Sequence, residues 1–515
     1  MKRLKSISYR VIFLSWTFLY ISNLNGYNQV GDWESFLSHH KIIQAKKDNN
    51  DNPVVLTEGG IVIYDIYTGN HQIIQKSDVL KKINFTVLHI DPYNKIWLGG
   101  ESPNGIIQLV DPELKSVQYT YDFELLQITE IVSDSANTFA VYSNQNETGI
   151  LHFIRNNNGW DYKDFYRSFP IEFTEIIDAI IINGQILLCT NTGILSGDTS
   201  ENLKISSNWN LLLNTTEAIG VFQNNVPSFY TNSEIYLLEE SGVHTIIIPE
   251  SLGNPIELKK IDGQYLVLNE TNFGILNNDG LLINDFENPF TSGFVSIIEE
   301  NMVAIELHGI FEIEQSKLNP PPNTPIQSQF SAITILENGD IASIGKKGLS
   351  ILKNHQWFNL FPSNLDYTFD PAFFGNYPLN YQLSSGANGS IFPSWSIVQS
   401  GENKVIFGNT GITPLPNSPK GALIEADFNS LQVEQYDTTN GILGGLNGIF
   451  NHGWSSAYMV VNQIKTDRHG NIWVLNPHEE INDNIIAIRP YQSETWYHIA
   501  APDEYSYLPT ELDFD

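Results

Sequence analysis

The residues with the clearest chemical potential are two aspartates that stand at the same distance from a tryptophan. Asp91 precedes Trp97, and Asp467 precedes Trp473, each at a polar tip between two apolar runs. A carboxylate at such a tip could bind a metal or a ligand, but it can equally accept hydrogen bonds from its own turn. We favour the structural interpretation, in which both aspartates close turns and both tryptophans pack between neighbouring sheets.

Other polar groups give weaker signals for a metal site. His39 and His40 are adjacent, and consecutive residues on a strand point to opposite faces, so they are not expected to bind one metal. The oxygen-rich tips Asp48–Asp51 and Asn277–Gly280 lack the spaced carboxylates that calcium loops provide. No metal site is therefore predicted.

Catalytic groups are equally hard to find. Cys189 lies in an apolar run, where a small buried hydrophobe is favoured over a reactive thiol. His452 and Trp454 lie in a Gly-rich loop that could form one side of a ligand-binding site or be a surface loop without a function. There is no phosphate-binding Gly loop, no Gly-x-Ser-x-Gly elbow and no Cys/His metal spacing. We predict no catalytic residue and no cofactor, and hence a protein that is not an enzyme.

The composition excludes two classes of partner. The 515 residues include 58 acidic and 27 basic side chains, a formal net charge of −31. Nucleic acid and anionic lipid surfaces both require clustered Lys and Arg, so neither is expected to bind. An apolar content of 41%, with 12% aromatic residues, is enough for sizeable cores. The length favours two domains.

Residues 1–26 are typical of a secretory signal peptide. Four basic residues precede an apolar run from Val11 to Ile21, and a polar stretch to Gly26 follows. An uncleaved anchor is the alternative, although the run is short for a membrane span. We expect an exported protein of the periplasm or outer-membrane cell surface, with no transmembrane span in the mature chain.

A repeat organises the residues that follow. An apolar strand, a tight loop and a Gly followed by apolar residues recur at Gly60, Gly105, Gly149, Gly193, Gly242, Gly274 and Gly309. The spacings of 45, 44, 44, 49, 32 and 35 residues lie in the range of β-propeller blades, which contain four strands each. Such sheets cannot bury both faces alone, so they must stack. Seven repeats suit a closed ring, which leaves no open sheet edge.

A proline-rich segment marks a domain boundary. Four prolines between Pro320 and Pro325 cannot lie inside a central strand. We therefore expect an all-β chain with a seven-bladed β-propeller followed by a second, incomplete β-propeller. Its parts are a signal peptide (1–26), the first propeller (27–318), a linker (319–325) and a second propeller of about three blades (326–515).

These motifs resemble the two-component-regulator type of β-propeller, whose blade turn is similar to Asp467–Trp473. The whole arrangement resembles the PorZ-like proteins of the type IX secretion system of Bacteroidota. The resemblance rests on the opening Gly31–Ser38, the junction Pro322–Pro325, and Gly348–Ile351 before Trp357. Members of that family have two seven-bladed propellers and a C-terminal sandwich-like domain. Compared with that pattern, this sequence is expected to lack about four blades and the last domain, either because it is a fragment or because the family assignment is too narrow.

The resemblance implies partners and a role. It implies a surface protein that assists type IX secretion and sortase-dependent attachment of cargo. Its partners would be other secretion-system or sortase-complex proteins and surface polysaccharide. Two alternatives remain: the periplasmic sensor portion of a hybrid two-component system, and a polysaccharide-active enzyme with carboxylates converging on a propeller channel.

Overall fold

The described part of the chain begins immediately after the N-terminal region. The computed structural model describes residues 36–100, 104–124, 126–145, 147–157, 159–290, 292–362, 376–379, 396–408, 423–436, 442–443, 461–476, 485–500 and 511–514. Contacts divide the chain after Phe36, and the described residues from Leu37 onward belong to one unit. The predicted signal peptide, the Gly31–Trp33 motif and the loop with His452 and Trp454 lie outside these ranges.

Seven four-stranded antiparallel sheets follow one another up to Asn319, and we number them sheets 1 to 7. In sheets 1 to 4 the strands are β1 (Ile42–Lys47), β2 (Pro53–Thr57), β3 (Gly60–Asp65), β4 (Asn70–Gln75), β5 (Phe85–Ile90), β6 (Ile96–Gly100), β7 (Asn104–Asp111), β8 (Ser116–Glu124), β9 (Gln127–Ser133), β10 (Asn137–Ser143), β11 (Thr148–Asn156), β12 (Gly159–Tyr166), β13 (Ile176–Ile182), β14 (Gln185–Thr190), β15 (Gly193–Asp198) and β16 (Trp209–Asn214). In sheets 5 to 7 they are β17 (Gly220–Val221), β18 (Ser228–Tyr230), β19 (Glu234–Glu239), β20 (Gly242–Ile247), β21 (Glu257–Ile261), β22 (Gln264–Leu268), β23 (Asn272–Leu276), β24 (Leu282–Glu287), β25 (Phe294–Glu299), β26 (Met302–Ile305), β27 (Gly309–Glu312) and β28 (Lys317–Asn319).

Three further sheets, numbered 8 to 10, lie beyond the proline-rich segment. Their strands are β29 (Ala332–Ile335), β30 (Ile341–Gly345), β31 (Gly348–Lys353), β32 (Gln356–Pro362), β33 (Asn376–Leu379), β34 (Ile397–Gly401), β35 (Lys404–Gly408), β36 (Leu423–Asp427), β37 (Gln432–Tyr436), β38 (Gln463–Thr466), β39 (Ile472–Leu475), β40 (Ile486–Arg489) and β41 (Tyr497–Ile499). Of these, β33 pairs in parallel with β32. The helical elements of the described residues are two single 3₁₀ turns, Ser206–Asn208 and Glu250–Leu252.

Apolar clusters join the sheets in sequence. Each of sheets 1 to 6 packs on the next through fully buried aliphatic and aromatic side chains. Sheet 7 packs on sheet 1 in the same way, with Val62 and Tyr64 against Ile298 and Met302. The seven sheets therefore surround a common axis, and this confirms the predicted all-β propeller fold. Beyond them, sheet 8 packs on sheet 9 and sheet 9 on sheet 10.

The two physical reasons predicted for glycine at the repeated positions are both found in the structure. Gly60 has φ 137°, a conformation that other residues rarely adopt. A Cβ on Gly149 would lie 2.5 Å from the Tyr166 carbonyl oxygen, so the neighbouring strand excludes a side chain there. Gly242 departs from the repeat, because it begins β20, the fourth strand of its sheet, and not the third. This displacement explains the uneven spacings of 49 and 32 residues on either side of it.

The proline-rich segment between the two sets of sheets is hydrogen-bonded to residues of both sets. The backbone N–H of His39 donates to Thr324 Oγ1 at 3.1 Å. The Asn359 side-chain amide donates to the Thr324 carbonyl oxygen at 2.9 Å, and the Ile326 N–H donates to Asn359 Oδ1 at 2.9 Å. We propose that residues 27–318 and 326–515 form the two propeller domains and that residues 319–325 join them.

Candidate functional site

The axis of the first ring contains a cavity of about 580 Å³. It is lined by the first strands of sheets 1 to 7, which face the axis because each sheet lies radially. Six charged side chains line it, and Lys260 of β21 is one of them. The other five are Lys46 on β1, Glu130 on β9, Asp178 on β13, and Glu257 with Lys259 on β21. All five are half-buried. We call this set the channel cluster.

The carboxylates of the channel cluster are held in place by neighbouring backbone. Asp178 Oδ1 accepts the Ala179 N–H at 2.8 Å, and Oδ2 accepts the Val221 N–H of sheet 5 at 2.9 Å. Glu257 Oε2 accepts the Ile297 N–H of sheet 7 at 2.6 Å, and Oε1 lies 3.2 Å from Lys259 Nζ. These bonds tie Asp178 to sheet 5 and Glu257 to sheet 7 and fix the positions of these two carboxylates at the axis.

The charged groups of the cluster shift one another's pKa values. Burial raises the pKa of the Glu130 and Asp178 carboxyl groups, and the attraction of Lys46 only partly opposes this. Burial acts to lower the pKa of Lys46, yet its pKa is raised because Glu130, Glu257 and Asp178 attract its proton. The Lys46 ammonium therefore stays charged among three acidic groups.

A neutral histidine lies beside the cluster. His89 Nε2 is 2.7 Å from Ser133 Oγ, which joins β5 to β9. Burial, together with the charge of Lys46, lowers the pKa of His89 to about 3. His89 is therefore uncharged at neutral pH and adds no positive charge to the channel.

A second cavity, of about 990 Å³, lies at one mouth of this channel. The two cavities share the lining residues Ile43, Thr86, Ile256 and Val295, so they adjoin each other. The outer cavity is also lined by Lys347 and its neighbours on the linker side of sheet 8. The channel therefore opens towards the junction of the two sets of sheets.

The predicted turn residue Asp91 joins two sheets. Its Oδ1 accepts the N–H groups of Tyr93 and Lys95, both at 2.9 Å, which closes the turn. Its Oδ2 accepts the indole N–H of Trp97 at 3.2 Å and that of Trp160, from sheet 3, at 3.1 Å. The aspartate and both indoles are buried. Every oxygen is engaged in the fold, an arrangement that favours a structural role over ligand binding.

Asp467 has the same local geometry without the second tryptophan. Its Oδ1 accepts the N–H groups of His469 and Asn471 at 2.9 Å, and its Oδ2 accepts the Trp473 indole N–H at 3.0 Å. Burial opposes ionisation, but hydrogen bonds from the Asn471 side-chain amide, the Trp473 indole and the backbone outweigh it and lower the pKa of Asp467 to about 2. Trp473 is half-buried and contacts Phe514, with ring centroids 5.2 Å apart.

The third member of the predicted blade motif is Gly105, the second residue of β7. A Cβ there would lie 2.6 Å from the Leu126 carbonyl oxygen, which excludes any side chain. The motif residues Asp91, Trp97 and Gly105 thus lie in the framework of sheet 2, and none of them lines either cavity.

The remaining polar candidates are engaged within the fold. His39 and His40 precede β1 and are both buried; His39 Nδ1 lies 2.8 Å from Thr57 Oγ1, and His40 Nε2 lies 3.2 Å from the Thr324 carbonyl oxygen. At the oxygen-rich tips, Asp48 Oδ1 and Asn277 Oδ1 each accept two backbone N–H groups of their own loop.

Cys189 is fully buried in β14, and burial raises its thiol pKa strongly. Within the described ranges, no group of three or more His, Cys, Asp and Glu side chains could hold a metal ion. In the same residues, no helix is long and apolar enough to cross a membrane.

Sequence reasoning missed the channel cluster and one buried ion pair. The signal for the cluster was present, because a single charged residue interrupts each of the first strands β9 and β13, at Glu130 and Asp178. The ion pair joins Arg489 to Glu425 through two bonds of 2.8 and 2.7 Å, and the Tyr436 hydroxyl donates to the same carboxylate at 3.0 Å. Its partners lie 64 residues apart, on sheets 9 and 10, and no local pattern connects them.

Comparison with known proteins shows that this chain is similar to solved structures at the level of the fold. No protein-family model matches the sequence, and no curated protein matches it. Among solved structures, the chain is similar to PorZ, described as an essential surface component of the type IX secretion system of Porphyromonas gingivalis. The TM-score is 0.60 and the identity 14%, over 93% of this chain and 61% of PorZ. The chain thus spans less than two thirds of the length of PorZ.

Two other propeller structures were found at lower similarity. One is the extracellular domain of a hybrid two-component system of B. thetaiotaomicron, with a TM-score of 0.40 and 13% identity over 90% of this chain and 67% of that one. The other is the Cps50 (Swd1) β-propeller domain of Myceliophteria thermophila, with a TM-score of 0.41 and 10% identity over 54% of this chain and 99% of that one.

Proposed function

We propose that the chain is an exported, non-enzymatic propeller protein of the cell surface or periplasm that assists type IX secretion. In this role it binds other secretion-system or sortase-complex proteins and helps attach cargo, and surface polysaccharide is a second class of partner. The observation that carries the proposal is the similarity to PorZ in fold over 93% of the chain. A rigid ring that presents loops at both mouths suits such recognition.

The geometry of the channel supports a non-enzymatic role. General acid–base or nucleophilic catalysis needs carboxyl groups that can reach a substrate bond. Both Asp178 oxygens already accept backbone N–H groups, and Glu257 is bonded to the Ile297 N–H and paired with Lys259. The Lys46 ammonium shares the same space.

Gene deletion with complementation tests the secretion role. In the bacterium that encodes the chain, deletion should reduce the amount of type IX cargo at the cell surface, and the wild-type gene should restore it. A gene lacking the codons for residues 2–26 is the matched control, since a protein confined to the cytoplasm should not restore display. Normal cargo display in the deletion strain would refute the proposal, and altered transcription alone would indicate a sensor.

One observation favours the alternative of a polysaccharide-active enzyme. Two carboxyl groups with raised pKa, Glu130 and Asp178, line a single cavity, and a raised pKa is typical of a general acid. The test is incubation of purified protein with neutral and acidic bacterial polysaccharides, followed by measurement of new reducing ends. Hydrolysis that disappears in Glu130→Gln would establish the enzyme and refute the non-enzymatic assignment.

A further inference from the structure

Strand β20 is the outer edge of sheet 5, and one side of its backbone is open. The strand order of this sheet is β17-β18-β19-β20, so within the described residues β20 pairs with β19 alone. The N–H of Ile248, just after the strand, donates to the Ser233 carbonyl oxygen at 2.8 Å. Since residues of an antiparallel pair alternate in direction, Val243, Thr245 and Ile247 direct their N–H and C=O groups away from β19. The edge therefore offers three donors and three acceptors to an added strand.

The other outer strands of the ten described sheets are protected against such pairing. Proteins protect a sheet edge with a bulge, a charged residue, a proline, a short strand or a covering segment. The register is shifted in β8, β12, β16 and β24. Of the rest, β37 carries Glu434, β33 contains Pro378, β28 and β41 have three residues each, and β4 is exposed only at its first residue. In contrast, β20 keeps one register over six residues, has no charged residue or proline, and exposes five of its six residues.

The exposed side chains of β20 are mainly apolar. Val243 and Ile247 lie on one face of the strand and are 53% and 69% exposed. Leu281, at the start of the outer part of sheet 6, is 66% exposed. It follows Gly280, which contacts β20 closely, since a Cβ there would lie 2.4 Å from Ile246 Cγ2. Exposed apolar side chains beside open backbone groups are what an edge strand needs to bind an extended segment.

The charges around β20 favour a positively charged segment. From Ile205 to Leu258 the chain contains six glutamates and neither lysine nor arginine. Glu234 pairs with Ile247 at one end of β20, and Glu239 pairs with Gly242 at the other. A second copy of this chain would bring like charges together at this edge, whereas a segment with Lys or Arg near its ends would be attracted.

We propose that β20 binds an extended basic segment of a partner protein as an added fifth strand of sheet 5. Its backbone bonds to Val243, Thr245 and Ile247, its apolar side chains lie beside Val243 and Ile247, and its basic residues lie near Glu234 and Glu239. The site does not depend on the role in secretion, because it follows from the sheet edge and its charges alone. Failure of either proposal therefore leaves the other standing.

Fluorescence anisotropy of labelled peptides with the full chain tests the site. The probe is a peptide in which valine and threonine alternate between a pair of lysines at each end. One control has glutamates in place of the lysines, and a second keeps the lysines but has prolines in place of the threonines, which removes backbone donors. The probe should bind, and each control should bind at least about tenfold more weakly. Absence of probe binding, or equal binding of the proline peptide, would overturn the proposal.

Variants separate the edge of β20 from the acidic surface as a whole. Thr245→Pro should abolish binding, because it removes an outward N–H while the bonds to β19 remain. Ile247→Lys should weaken binding about tenfold, because it places a positive charge beside the basic segment, and it serves if Thr245→Pro does not fold. Ile335→Lys is the matched control, since Ile335 is 73% exposed on sheet 8 and the change in charge is the same; its Kd should equal that of the unmodified chain. Equal losses in the two lysine variants would show non-specific attraction and would overturn the proposal.

Hydrogen–deuterium exchange of the unmodified chain, resolved to single residues, locates the bound peptide. Without the probe, the amides of Val243, Thr245 and Ile247 should exchange quickly, whereas those of His244 and Ile246, which are bonded to β19, should exchange slowly. A saturating concentration of the probe should slow the first three. Unchanged exchange at these three amides would overturn the proposal. A dimer in sedimentation that Thr245→Pro abolishes would also overturn it, because the edge would then pair with a second copy of the chain.

Discussion

Removing the Asp91 carboxylate should destabilise the first ring more than any comparable change at a single turn. Asp91→Ala deletes the acceptor of two turn N–H groups and of two indole N–H groups that come from different sheets. Trp97 and Trp160 are 0% and 2% exposed, so water cannot replace the lost acceptor. At about 2 kcal/mol for each buried donor left unsatisfied, plus about 1 kcal/mol for the turn, the expected loss is about 5 kcal/mol.

Asp467→Ala is the matched control because the local turn is the same. There the carboxylate accepts one indole N–H, from the half-buried Trp473, which solvent can partly reach. We expect a loss of about 1–2 kcal/mol for Asp467→Ala. Asp91→Asn, which retains one acceptor oxygen, should lie between the two alanine variants.

The assay is equilibrium unfolding in guanidinium chloride, followed by circular dichroism and by tryptophan fluorescence on each variant. The free energy of unfolding is taken from a transition that both probes share, because a chain of this length need not unfold in two states. A double-mutant cycle with Trp160→Phe should give a coupling of about 1–2 kcal/mol with Asp91→Ala. A loss for Asp91→Ala no greater than that for Asp467→Ala, or zero coupling, would refute the reasoning.

Three further outcomes are expected. Arg489→Met should lower the free energy of unfolding by about 3–5 kcal/mol, because it leaves the buried Glu425 carboxylate uncompensated. Adding Glu425→Leu to the same chain should recover part of this loss. Unfolding in guanidinium chloride measures both variants, and an unchanged midpoint for Arg489→Met would contradict the role of the pair. Burial lowers the pKa of His40 from 6.5 to about 4, so the unfolded state binds protons more readily. The contribution of His40 to stability is complete above pH 6.5, and it should fall by about 2 kcal/mol between pH 7 and 5. His40→Asn should reduce this slope, as measured by unfolding at both pH values, and an identical slope would contradict the prediction. Cys189 should not react with a thiol reagent in the folded chain, because the thiol is buried and its pKa is raised, and it should react when the chain unfolds. Rapid labelling of the native protein would contradict this prediction and show that β14 opens.

The architecture could be predicted because one pattern repeats at nearly constant spacing. Apolar strands separated by tight loops and by a glycine identified the sheets, and the structure confirms the propeller fold. The pattern failed locally at Gly242, where a glycine opens the fourth strand of sheet 5. A tight loop precedes the glycine whether the glycine opens the third or the fourth strand of a sheet. The local sequence therefore does not distinguish a third strand from a fourth.

The candidate site could not be assembled from the sequence because its members come from separate sheets. Lys46, Glu130, Asp178 and Glu257 lie on four first strands that are far apart in the sequence. Their convergence depends on closure of the ring, which places every first strand at the axis. Asp91 was identified through its turn, but its bond to Trp160 was missed because it spans 69 residues.

The closure of sheet 7 on sheet 1 has a consequence for the order in which the chain folds. The Ala45 N–H donates to Ser296 Oγ across 251 residues, and the His39 N–H donates to Thr324 Oγ1 across 285 residues. Strand β1 therefore has both its faces covered only after sheet 7 has been synthesised. Such long-range pairing slows folding and leaves apolar surface open during synthesis. A nascent chain that cannot complete its ring early remains unfolded for longer, and this would favour the export that we propose, because translocation through a narrow channel requires an unfolded chain.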